Sequence, residues 1–170
     1  MFDKLIDVLL QWASFFVPFV VIDEFERGVV LRFGRPVRDL EPGFHWIIPF
    51  QVDRVMADNV VPRTINLGSQ SLTTKDGKAV VVAGVVTAQI RDVRKALLEV
   101  EGVDDACIDS SYGAIGALVA SHTWEEVQHE DFSDVLTKAC RKQAWRFGIE
   151  IQKVQLSDLT LARTYRLHSS

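Results

Sequence analysis

Residues 26–50, ERGVVLRFGRPVRDLEPGFHWIIPF, decide how the first part of this chain folds. From Gly28 to Gly34 apolar side chains alternate, Val29, Leu31 and Phe33 to one side and Val30 and Arg32 to the other, which is the period of a half-buried strand. The second apolar run places Phe44, Trp46, Ile48 and Phe50 on one face and His45 and Ile47 on the opposite face. Pro49 lacks a ladder donor and marks a strand edge or end. Gly34 and the Glu41-Pro42-Gly43 turn signal supply the reversal between the runs. The expectation is a β-hairpin with a basic linker. Its Arg32, Arg35 and Arg38 either grip an anionic ligand or lipid headgroup or, as the nearby acids favour, pair with Glu24, Glu26, Asp39 or Glu41.

Upstream, residues 5–22 read LIDVLLQWASFFVPFVVI. Lys4, Asp7, Gln11 and Ser14 are spaced three, four and three, so they fall on one stripe of a helix. The remaining positions to residue 17 are apolar or aromatic, among them Leu5, Ile6, Leu9, Leu10, Trp12, Phe15 and Phe16. This describes an amphipathic helix with a wide apolar face. It would lie in the plane of a membrane, cross it as a short tilted span, or dock on the protein's own core; in-plane attachment suits the polar stripe and Trp12 best. A signal peptide is disfavoured, since little positive charge precedes the segment and no small-residue cleavage pattern follows it. Pro18 ends the helix, and FVVI at 19–22 reads as a strand.

Downstream, Asp76-Gly77 signals a tight hairpin. The outgoing strand, residues 78–91, is apolar on both faces and is expected to be central and covered on both sides. The period then becomes helical over VRKALLEV and over VDDACIDSSYGAIGALVASHT, where Ala106, Ser110, Gly113 or Ala114, Ala117, Leu118 and Ser121 form a small-residue face. EDFSDVLTKACRKQAWRFGIE carries Phe132, Val135, Leu136, Ala139 and Cys140 at helical spacing, with Asp131 as N-cap and Gly148 as the stop. IEIQKVQLSDLTL closes the chain as a strand. Strands, then helices, then a final strand make an α+β pattern.

At 170 residues the chain is long enough to bury a real core. Nineteen basic against 23 acidic residues, without a dense Lys/Arg cluster, exclude nucleic acid as the expected partner. Cys107 and Cys140 lack metal-site spacing and read as reduced packing residues, the alternative being a disulfide between them. His122 and His129 are two helical turns apart, about 10.5 Å of rise, too far to share a metal without a third ligand. No glycine-rich phosphate loop or nucleophile elbow occurs. Ser110-Ser111 beside Asp109 has no histidine placed as base, and the adjacent pairs Asp104-Asp105 and Glu125-Glu126 diverge by about 100° on a helix. No catalytic residue, metal site or cofactor is therefore expected.

The ordered motifs ERGVVLRFGRPVRDLEPGFHWIIPFQVDRV, TTKDGKAVVVAGVVTAQIRDVRKAL, the Ala-rich helix and TWEEV resemble the SPFH or band-7 superfamily of stomatins, prohibitins, flotillins and Hfl-type proteins, over roughly residues 19–160. The resemblance implies an α+β domain of mostly antiparallel strands followed by helices and a closing strand, beside a membrane and behind an N-terminal membrane-associated helix. The implied division is 1–18 for that helix, 19–75 for a membrane-proximal part, 76–160 for a second part and 161–170 for a tail. It implies a non-enzymatic scaffold that self-assembles into homo-oligomers, often rings, and organises membrane lipid or proteins; the alternative is a regulatory subunit of a membrane protease or transporter. Localisation follows as membrane-associated, on a side the sequence does not specify. Phe44, Trp46 and Phe50 become a second candidate for lipid contact, the alternative being that they pack into the subdomain core. Family members typically continue into a coiled coil, whereas these residues end at LTLARTYRLHSS without heptads, which implies either a minimal member or assembly through lateral contacts between domains.

Overall fold

The structure is a computed structural model that describes residues 18–162. The chain forms two compact units that divide between Val61 and Pro62. The expected N-terminal helix, with Leu5, Ile6, Leu9, Leu10, Trp12, Phe15 and Phe16, lies outside the described residues.

The first unit is all β: β1 (Phe19–Ile22), β2 (Glu26–Arg32), β3 (Arg35–Leu40), β4 (Gly43–Trp46) and β5 (Asp53–Asn59). It contains an antiparallel sheet in the order β3-β2-β5 and a separate β1-β4 ribbon. This corrects the expected hairpin. The basic linker is itself a strand, β3, and the run that begins at Gly43 pairs with β1 instead of β2. The reason is local: Phe33 and Gly34 both have positive φ, 50° and 79°, as a two-residue type I′ turn requires, so the chain reverses at once and Arg32 faces Arg35. β2 is central and sealed on both faces, with Val29 and Val30 fully buried. Ile22, Val30 and Leu40 form a small core, supported by Val20 and Val55.

The second unit is a three-stranded antiparallel sheet of β6 (Arg63–Thr73), β7 (Ala79–Ile90) and β8 (Ile149–Leu161), with β7 in the centre. Between β7 and β8 come α1 (Val93–Leu98), α2 (Val103–Ser121), α3 (Trp124–Val127), α4 (Phe132–Ala144) and a 3-10 turn at Trp145–Phe147. β6, which the sequence reading placed in the membrane-proximal part, pairs with β7 along nearly its whole length. The Asp76-Gly77 hairpin forms as expected, with Gly77 at φ +79°. Thr74 Oγ1 donates to Asp76 Oδ1 at 2.6 Å, and the Trp124 N–H donates to the same oxygen at 3.0 Å, so the turn also caps the start of α3.

β7 is covered on one face only. Val80, Val82, Val86, Ala88 and Ile90 are buried, in a core that α2 and α4 supply with Cys107, Ile115, Val119, Leu136 and Cys140. On the other face Val81 and Val85 are half-buried, because their cross-strand neighbours Ser71, Thr160, Asn66 and Gln155 are small or polar. The inward stripe of α2 is Cys107, Ser110, Ser111, Ala114, Ile115 and Val119, rotated from the small-residue face read in the sequence; Ala117 and Ser121 are exposed. In α4, Phe132, Leu136 and Cys140 point inward as expected, whereas Val135 is exposed. Asp131 makes no side-chain cap bond, since its backbone is already helical. Capping falls instead to Asp92, whose carboxylate accepts from the Lys95 N–H at 3.1 Å, and to a Thr123/Glu126 capping box.

Candidate functional site

The β1-β4 ribbon places Phe19 opposite Trp46 and Val21 opposite Phe44. Side chains alternate across a strand, so these four share one face, and all are exposed, Trp46 by 64% and Phe44 by 54%. The opposite face turns Ile22 into the small core. The aromatic rings are ordered among themselves: Phe19 stacks on Phe44 at 5.2 Å, and Phe44 meets Trp46 edge-on at 5.4 Å. The alternative that this face packs into the unit's core is therefore not what the structure shows.

The loop that follows extends this surface. Ile48 and Phe50 are exposed by 43% and 60%. The Val52 N–H donates to the Pro49 carbonyl around Phe50 and Gln51, whose φ values are 64° and 60°. With Phe33, which is 78% exposed, these are the non-glycine residues of positive φ among those described. A bulky side chain in that region is costly and persists only where its surroundings hold it. The holding contacts are visible. The Phe33 N–H donates to the Val52 carbonyl at 3.0 Å, and the Ile47 N–H to the Pro18 carbonyl at 2.8 Å. The start of β1, the Phe33-Gly34 turn and the 47–52 loop thus meet at one end of the unit.

Asp53 is the anchor of that end. Its side chain is 1% exposed. It accepts from Arg32 Nε at 2.8 Å and Nη2 at 3.1 Å, and from the Ile48 N–H at 2.9 Å. The guanidinium of Arg32, then the Ile48 amide, hold its carboxyl below the usual range against the opposing effect of burial. Arg38 donates to the Trp46 carbonyl, and Arg27 pairs with Glu41 at 2.7 Å. Of the expected acid partners of Arg32, Arg35 and Arg38, none takes Arg32. Its partner lies 21 residues on, a distance that local charge counting could not bridge.

Residues with catalytic chemistry do not converge elsewhere among those described. Ser111 Oγ donates to the Cys107 carbonyl inside α2, a packing role. Cys107 and Cys140 are free and fully buried, and burial pushes both thiols up to about 11. The sequence offered no base near a serine, yet Ser121 Oγ lies 3.0 Å from His122 Nδ1. Both groups, however, donate to the Leu118 carbonyl, at 2.9 and 2.8 Å, so Nδ1 carries its proton and is unavailable to accept from the hydroxyl. The contact closes the end of α2. Among the described residues there is no cluster of His, Cys, Asp and Glu that could hold a metal, and no helix long and apolar enough to cross a membrane.

These features define an α+β protein whose most developed surface is an exposed aromatic ribbon. Residues 20–167 match the SPFH domain / Band 7 family, and the chain belongs to it. It is 30% identical over 142 residues to an uncharacterized protein of Methanocaldococcus jannaschii, covering 82% of this chain and 71% of that protein. It is 26% identical to stomatin-1 of Caenorhabditis elegans over 88% of this chain and 46% of that protein. It is 29% identical to the modulator of FtsH protease HflK of Escherichia coli over 72% of this chain and 29% of that protein. The chain thus spans less than half of the stomatin and less than a third of HflK.

Proposed function

We propose that this chain is a non-enzymatic, membrane-attached scaffold, seated on lipid through the aromatic end of its first unit and through the apolar stretch before Pro18. The observation that carries the reading is the β1-β4 ribbon, which leaves Phe19, Val21, Phe44 and Trp46 in water on one face while burying Ile22 on the other. Scattered exposed hydrophobics need no explanation, but a contiguous aromatic set continued by Ile48 and Phe50 marks an interaction surface. Aromatic rings favour the interface between headgroups and acyl chains. In this reading copies of the domain pack side by side and hold neighbouring membrane proteins by geometry. A second reading, a regulatory subunit of a membrane protease, is favoured by the similarity to the modulator of FtsH protease.

Flotation of the full chain with phosphatidylcholine vesicles tests the membrane attachment. The protein is expected to float, and Trp46→Ser combined with Phe50→Ser to weaken flotation at least tenfold with no loss of folded structure. Absence of flotation by the unaltered chain would refute the reading. Capture after mild detergent extraction separates scaffold from regulator: self-association alone supports the first, a stoichiometric protease the second.

A further inference from the structure

The charges of the first unit are sorted along its strands. Near the aromatic end lie Arg32, Arg35, Arg38 and Arg54 with a single carboxylate, Asp53. That carboxylate is buried and saturated by Arg32 and the Ile48 N–H, so it offers no negative charge to the outside. Arg35 flanks the Phe33-Gly34 turn opposite Arg32, Arg54 faces Leu31 across β5, and Arg38 reaches the Trp46 carbonyl. All four arginines are exposed residues. At the other end lie Asp23, Glu24, Glu26, Glu41 and Asp58, against Arg27 alone, while Asp39 sits midway, opposite Val29. β2 connects the ends across seven residues, about 20 Å at strand rise, which exceeds the roughly 8 Å screening length of physiological salt. With Arg32 matched to Asp53, a surface touching the aromatic end therefore senses Arg35, Arg38 and Arg54 and little of the distant acids.

We infer that this end selects anionic phospholipid headgroups and orients the unit with its acidic end away from the bilayer. The inference rests on the membrane reading above and adds the lipid class. Aromatic and aliphatic side chains enter the interface while the arginines beside them meet phosphate and carboxylate groups at the same depth. The acidic end is repelled by the same surface, so attraction and repulsion favour one orientation. Each arginine is worth about fivefold in partitioning to an anionic leaflet.

The test uses the full chain with vesicles of phosphatidylcholine alone and of phosphatidylcholine carrying about 30 mol% phosphatidylserine. Binding to the anionic vesicles is expected to be about a hundred times tighter at low salt, and the difference to vanish near about 0.5 M salt. Arg35→Gln with Arg54→Gln should reduce the anionic preference about twentyfold and leave binding to neutral vesicles unchanged, whereas Asp23→Asn with Glu24→Gln should change neither by more than about twofold. Equal binding of the unaltered chain to both vesicles overturns the anionic selectivity and leaves the membrane reading standing. Binding to neither overturns the membrane reading itself. Equal loss on both vesicles by the arginine variant, with folded structure intact by circular dichroism, also overturns the inference; the lipid and salt comparisons on the unaltered chain decide it if that variant does not fold.

Discussion

Replacing Gly148 by alanine perturbs the joint where the helical layer returns to the sheet. Gly148 has φ 73° and ψ 15° and closes the 3-10 turn that follows α4. Its carbonyl accepts the Arg91 and Asp92 N–H groups at 2.9 and 3.1 Å. A Cβ there would stand 2.4 Å from the Asp92 carbonyl oxygen, 3.0 Å from the Asp92 Cβ and 3.1 Å from the Lys95 Cβ. The left-handed backbone costs an L-residue about 1–2 kcal/mol. Displacing Asp92 weakens the bond its carbonyl accepts from the Ala96 N–H at 3.0 Å and the bond its own N–H donates to the Gly148 carbonyl, at about 1 kcal/mol each. The entropy that alanine removes from the unfolded chain returns about 0.4–1 kcal/mol. The net loss is about 2–3.5 kcal/mol, read by urea unfolding followed by far-ultraviolet circular dichroism with an unchanged slope. Gly148→Asn separates the causes. Asparagine tolerates the left-handed region, so a loss nearly as large as alanine's assigns the effect to the close approach. A loss under about 0.5 kcal/mol in both variants would refute the reasoning.

Other consequences are independent of that joint. Hydrogen bonds from Thr74, then Lys78 and the Trp124 N–H, hold the Asp76 carboxyl down at about 2. A depressed carboxylate contributes stability above its unfolded value, near 3.8, and loses it as pH falls through the folded one. The stability of Asp76→Asn should therefore lie below that of the unaltered protein at neutral pH and converge on it between about pH 4 and pH 2; parallel acid titrations of unfolding would contradict this. The Cys107 and Cys140 thiols should resist a disulfide reagent at neutral pH until the second unit unfolds, with rates that track denaturant. Rapid reaction of the native protein would show a sulfur within reach of solvent. Truncating the fully buried Leu136 to alanine should cost about 2–5 kcal/mol by urea unfolding, and a neutral outcome would place α4 outside the core.

The second unit was the more legible part of the sequence because its signals are local. Period-two and helical patterns, the Asp76-Gly77 turn and the Gly148 stop all act within a few residues, and they located the elements, although the inward stripe of α2 came out rotated and Val135 exposed. The first unit misled where pairing is decided by turns between strands of similar composition. Phe33 looked like the next inward position of a strand, and only its positive φ makes it a turn residue and frees residues 35–40 to become β3. The partner of Arg32 was hidden for the same reason, since Asp53 reaches it through the β2-β5 register. The exposed face of Phe44 and Trp46 could be read as a face from alternation, but its exposure depends on β1 pairing beside β4 and on no layer covering that face among the described residues. For β7 the apolar pattern on both faces overstated its burial, because a strand cannot tell from its own residues whether its neighbours in register are serine and asparagine or valine.

The central claim is that the aromatic end of the first unit meets lipid, and depth-resolved labelling tests it most directly. Buried Cys107 and Cys140 leave a cysteine introduced at Ile48→Cys, between Trp46 and Phe50, or at Glu24→Cys, at the acidic end, as the reactive thiol for an environment-sensitive fluorophore. On vesicles that bind the full chain, the probe at position 48 is predicted to shift to the blue and to be quenched by brominated acyl chains, while the probe at position 24 stays accessible to an aqueous quencher. A probe at 48 that remains in water on bound vesicles would contradict the account.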